Sequence, residues 1–215
     1  MKAEINGKQI ELEPNSKPIL VKRMVSDGFD MIIIFGLFML FTMLIMKMPI
    51  ASEYHAHFDA YTSIEKSVIE KYQNDAAKIS EVLNGHSVYQ YELLAANLHG
   101  YILKAIACFA AELLILLVFP LLNKEKQTPG KRMTGLLAFN ERRHGKITWY
   151  QVLFRFLFIL VIDSLVLFLW TGTLTFLLVA VLRLIEMLLN RKNKTICDLL
   201  TGVMIIEKLS YDGIN

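Results

Sequence analysis
Two cysteines among 215 residues provide no disulfide framework. Cys108 lies in an apolar segment and Cys197 in a polar tail, so they are not expected to meet; Cys108 reads as a small buried apolar residue. No Ser/His/Asp or Cys/His arrangement points to a nucleophile, so no catalytic residue, enzyme activity or cofactor is expected. The segment Thr128-Pro-Gly-Lys131 lacks the Gly-x-x-x-x-Gly-Lys-Ser/Thr pattern of a phosphate-binding loop. Glu53, His55, His57 and Asp59 resemble a metal cluster only superficially. His-x-His places both rings on one face only in a strand. With His86 and His99 distant in sequence, these read as solvated loop residues, and no metal is expected. Internal repeats and low-complexity tracts are absent, and no nucleic-acid partner is expected.

What is present is apolar. Hydrophobic residues make up 54% of the chain and charged residues 20%, with a mean hydropathy of +0.43. A soluble domain stays near 45–50% apolar, so this is a membrane composition. Four apolar stretches lie near 29–48, 101–122, 150–170 and 173–189. Each has about the length that crosses a hydrocarbon core of roughly 30 Å. Pro49-Ile-Ala-Ser52 after the first is a poor cleavage site, so that stretch reads as a retained span.

The basic residues give an orientation. Lys2, Lys8, Lys17, Lys22 and Arg23 precede the first span, and Lys124, Lys126, Lys131, Arg132, Arg142, Arg143 and Lys146 fill the loop 123–148. Arg191, Lys192, Lys194 and Lys208 follow the last, whereas the long segment 49–100 holds only Lys66, Lys71 and Lys78. Four spans put all three basic segments on one side, and the positive-inside rule makes that side cytoplasmic, with both termini. The basic loop reads mainly as a topology determinant, with anionic headgroups as a second use.

The expected fold is an all-α membrane protein. A four-helix transmembrane bundle carries a small cytoplasmic β element and an amphipathic helical extracytoplasmic segment. Residues 1–22 form a hairpin around Asn6-Gly7 and a linker marked by Pro14 and Pro18. The spans are 23–48, 101–122, 149–170 and 173–190. The segment 49–100 is extracytoplasmic, with Ile64, Val68, Ile69, Tyr72, Ile79, Val82 and Leu83 at helical spacing. In the loop 123–148, Pro129-Gly130 predicts a turn, followed by a strand near 136–139 and a polar tip. Thr148-Trp-Tyr-Gln151 predicts a capping box. A strand at 202–206 in the tail 191–215 is expected to pair with 136–139, and the N-terminal hairpin could join them.

Charges inside the spans are the candidate chemistry. Arg23, Asp27 and Asp30 fall at i, i+4 and i+7 on one helix face, and the arginine is the expected partner of the aspartates. Lys104 is expected to snorkel. Glu112 lies roughly 15 Å from the inner end of its span and Arg183 roughly 14 Å from the outer end of its own, so the two are expected to meet or share a cavity. Asp163, Arg155 and Glu186 complete the set. One reading is a polar path with a cation- or proton-binding carboxylate; the other is a set of ion pairs that fix helix register.

These pieces together resemble the RDD family of integral membrane proteins. Arg23 and Asp30 match its Arg-x6-Asp, Gly130-Lys131-Arg132-x-x-Gly135 its Gly-Lys-Arg-x-x-Gly loop, Arg155 the arginine of the next hydrophobic region, and Asp198-Leu-Leu-Thr-Gly202 its terminal Asp-Leu-x-x-Gly. Ser26 replaces a frequent alanine and Val203 a common threonine. The resemblance implies either transport of a cation or proton-coupled small solute, or a non-enzymatic adaptor of a membrane protease or quality-control complex. Expected partners are the lipid bilayer, a membrane protein and a second copy of the chain.

Overall fold
The computed structural model describes residues 2–5, 8–11, 17–73, 75–141, 145–161, 181, 185, 186, 188, 189 and 194–207. Asp163, Arg183 and most of the expected fourth span lie outside the described residues. The chain divides into two compact units, Met1–Leu37 with Phe109–Asn215, and Phe38–Cys108.

Strands β1 (Lys2–Ile5) and β2 (Lys8–Glu11) pair antiparallel around the Asn6-Gly7 position, with Ile5 opposite Lys8. They form their own two-stranded sheet and do not join the other strands. Helix α1 covers Lys17–Ile45. It starts earlier than the expected residue 23, because Pro18 falls in the first turn, where a missing N–H breaks no helical bond. The proline therefore opens the helix instead of marking a linker. Within the first unit, α1 buries Ile19, Arg23, Ser26, Asp30 and Ile34, spaced three or four residues apart on a single face.

The second unit continues through α2 (Ser52–Tyr72) and α3 (Ala76–Gly85) into α4 (Ser87–Glu112). Asp75 caps α3 by accepting the Lys78 N–H at 3.1 Å. Val68, Leu83 and Tyr89 are buried together, with Ile64, Tyr72, Ile79 and Val82 packed on them. Ile69 departs from the expected stripe and is exposed. α4 runs unbroken from Ser87, with no break in the helix at residue 101.

Back in the first unit, α4 ends at Glu112 and widens into a π-helical stretch, Leu113–Val118, before α5 (Phe119–Leu122). Pro120 gives the cause. Its ring collides with the carbonyl four residues back in an ordinary helix, and it donates no N–H. The wider turn, closed by Phe119 N–H to the Leu114 carbonyl, accommodates it.

Pro129-Gly130 does not make the expected reverse turn. It opens a short helix, α6 (Pro129–Met133), with Thr128 as its cap. Gly135, in the left-handed region at φ 67°, ends that turn and starts β3 (Leu136–Asn140). β3 lies between β4 (Gly145–Lys146) and β5 (Val203–Glu207), antiparallel to both, with Leu136 opposite Glu207 and Asn140 opposite Val203. Helix α7 (Trp149–Phe158) opens as expected, Gln151 Oε1 accepting both the backbone N–H and the hydroxyl of Thr148 at 2.9 Å. Helix α8 (Ile196–Thr201) ends on Gly202, left-handed at φ 63°, which turns the chain into β5. The core of this unit gathers Ile19 of α1, Val152 of α7, and Leu136, Ala138, Val203 and Ile205 of the sheet.

Two helical runs, Ile19–Ile45 and Ser87–Leu122, are long and apolar enough to cross a membrane. Only 22% and 39% of their most apolar windows are buried, far less than for the core helix of a soluble protein. Trp149–Val161 is a shorter apolar helix that runs up to residues outside the description.

A charged cavity held by three aspartates
Asp198 is wholly buried, and so is Arg23 except for 6% of its surface. One Asp198 oxygen accepts from the Arg23 guanidinium and the other from Arg155. The first oxygen also faces the Thr195 N–H at 3.3 Å, and the Thr195 hydroxyl accepts the Asp198 N–H at 3.2 Å. Asp198 thus caps its own helix while neutralising two arginines from α1 and α7. Burial alone pushes its carboxyl up, but Arg155 and then Arg23 outweigh that and hold it well below the usual carboxylate range. The arginine of the first helix therefore does not pair with Asp27 or Asp30, as their helical spacing suggests. The long guanidinium reaches across to a residue 175 positions away.

Asp30 has a different partner set. Its carboxylate accepts the Thr128 hydroxyl at 2.5 Å and the Gly130 N–H at 2.7 Å. It sits at the opening of α6, where unsatisfied N–H groups favour a negative charge. Gly130 has to be glycine: a Cβ there would strike the Ser26 carbonyl oxygen and lie 2.9 Å from Asp30 Oδ1. Asp27 is the loosest of the three: among the described residues its ion pair is to Lys131 Nζ at 3.7 Å.

These groups enclose a cavity of about 60 Å³, room for a few waters or an ion. Arg23, Asp27, Asp30, Lys131 and Arg155 line it, with Leu116 and Pro120 of the widened helix as an apolar wall. Lys126 and Glu186 add one charge of each sign. Lys126 sits at φ 51°, an uncommon backbone conformation for a residue with a side chain.

Of the other expected site residues, Glu112 is buried at the start of the π-helical stretch, and its meeting with Arg183 lies outside the described residues. Glu186 Oε2 accepts the Ile196 N–H at 3.4 Å. Arg132 is exposed, unlike its neighbours in the motif. The expected loop histidines lie on α2: His57 Nδ1 meets Glu92 Oε2 at 2.6 Å, and its ring lies parallel to that of His99. Among the described residues no three His, Cys, Asp or Glu groups are placed to hold a metal.

Several contributors had no obvious signal in the sequence. Thr128 is legible as a helix cap, but not as a ligand of Asp30. Gln151 spans more than its capping role, accepting from Asn140 Nδ2 at 3.0 Å and donating to the Thr201 carbonyl at 2.9 Å. It thereby ties the start of α7 to β3 and to the end of α8.

The motif residues scattered over the sequence thus converge on one cavity and its supporting turns. No curated protein and no solved structure matches the chain. The RDD family model matches residues 18–202, a range that contains every one of these motif residues. The chain belongs to the RDD family of integral membrane proteins.

Proposed function
We propose that the chain is a four-span protein of the cell membrane, with both termini cytoplasmic, that moves a cation or a proton-coupled small solute through the charged cavity. The observation that carries this reading is a cavity with carboxylates in its wall beside apolar, membrane-capable helices. Charge in such a setting is expensive and is tolerated chiefly where it lines a path or is paired. Asp198 and Asp30 are committed to hydrogen bonds that hold α8 and α6. Asp27, with its 3.7 Å ion pair, is the carboxylate freest to exchange a partner. Glu112, Asp163 and Arg183 would continue the path deeper.

The test is ion flux in proteoliposomes. Asp27→Asn is expected to abolish flux while leaving the folded protein intact, and Glu112→Gln to reduce it. Unchanged flux in both would sink the assignment.

A second reading is a non-enzymatic adaptor or regulator of another membrane protein. It is favoured by the near-complete pairing of charge around Asp198 and Asp30, which suits a rigid joint, and by the separate helical unit with its own small core. Crosslinking in native membranes, followed by co-purification, should then recover one dominant protein partner; recovery of none from membranes that show flux decides against it.

A further inference from the structure
Helix α8 is inside-out for water. Its charged residue, Asp198, is wholly buried and Cys197 nearly so, while Ile196, Leu199 and Leu200 are 48%, 47% and 65% exposed. A short helix in an aqueous tail would show the opposite pattern. The neighbouring α7 behaves the same way. Tyr150, Phe154 and Leu157 are all exposed, at i, i+4 and i+7, so they form one apolar stripe. Trp149 is exposed at its start, beside Tyr150. Aromatic residues with one apolar and one polar end collect at membrane–water boundaries. α8 packs against α7, and Cys197 Sγ lies 3.9 Å from the Arg155 carbonyl. Before α8 the sequence carries Arg191 and Lys192, basic residues suited to anionic headgroups, whereas Lys194 is buried against Glu141 Oε2 at 2.6 Å.

We propose that α8 is not part of an aqueous tail but an interfacial helix, its Ile196–Leu199–Leu200 face immersed in lipid at the level of Trp149 and Tyr150. The occupant of the face is the acyl region of the leaflet nearest the three-stranded sheet. The Arg23–Asp198–Arg155 cluster then sits just inside the membrane boundary, shielded from water on its outer side by the helix that carries it. This holds whether or not the cavity conducts.

The experiment places a single tryptophan on the face. Leu200→Trp in a Trp149→Phe, Trp170→Phe background is reconstituted into phosphatidylcholine–phosphatidylglycerol vesicles, with or without bromine on the acyl chains. Bromolipid is expected to quench most of the emission and aqueous acrylamide little of it, matching a protein that retains Trp149 alone. Ile196→Trp repeats the measurement should the first variant not fold. Quenching by acrylamide but not bromolipid overturns the proposal, because the face is then in water. Protection from both also overturns it, because protein then covers the face.

Discussion

At the scale of residues, the groups in and behind the cavity wall sort into those that hold and those that are free to change. Asp198 holds. Replacing it with asparagine removes the carboxylate shared by the buried Arg23 and the part-buried Arg155, a class of change that costs about 3–5 kcal/mol. Thermal unfolding in detergent should show Asp198→Asn far less stable than the parent. The pH dependence has a definite sign. The folded pKa lies below the unfolded value of about 3.9, so the stabilisation is complete above roughly pH 5 and is lost as the pH falls below 4. The unfolding midpoint of the parent should therefore drop between pH 6 and pH 3, and that of Asp198→Asn should drop less. Gly130→Ala should destabilise by about 1–3 kcal/mol, since the Ser26 carbonyl leaves no room and belongs to a helix backbone that cannot easily retreat. Ser26 offers the contrast. Its hydroxyl is buried with no hydrogen-bond partner, so Ser26→Ala should be neutral or mildly stabilising in the same assay.

At the scale of elements, what the sequence announces is local and what it conceals is tertiary. Asn6-Gly7 sets the β1–β2 register, Thr148 and Gln151 open α7, and the short apolar runs at 136–139 and 202–206 mark the paired strands, because each signal acts within a few residues of itself. The partner of Arg23 is concealed. Helical spacing favours Asp27, but an arginine is long enough to leave its own helix, and the more deeply buried Asp198 wins. The turn at 129–130 is misread for a related reason: proline and glycine suit a reverse turn, and proline equally suits the first position of a helix once Thr128 supplies the cap. The π-helical stretch is likewise silent, since Pro120 reads as a kink or an end until its neighbours are packed. Gly202 gives an element-scale prediction. At φ 63° it closes α8 and feeds β5, so Gly202→Ala should cost roughly 1–2 kcal/mol from the left-handed conformation alone. Hydrogen exchange should report the loss as faster exchange in β5 and in its partner β3.

At the scale of the whole molecule, family membership and composition were open to the sequence, because hydropathy and motif order survive without coordinates. The division into two units was less so, since α1 and α4 each run through a boundary without a break in hydropathy. The smaller unit has an aromatic and aliphatic centre of its own. Leu83→Asp should therefore raise hydrogen exchange in α2 and α3. The cavity residues themselves span most of the chain, from Arg23 to Cys197.

That span has a consequence for biosynthesis. Arg23 leaves the ribosome 175 residues before the carboxylate that neutralises it. At 5–20 residues per second, the delay is roughly 10–35 s. Throughout it, the charged face of the first helix lacks Asp198, and for the first 98–100 residues after Asp30 it also lacks the Thr128 and Gly130 donors that hold that carboxylate. The nascent helix has to keep those groups wet, at the surface or inside the insertion machinery, until the end of the chain arrives. A ribosome stalled before residue 198 would present a first helix that is threaded but unlocked, and a quality-control protease could tell it from the finished protein by that open charge alone.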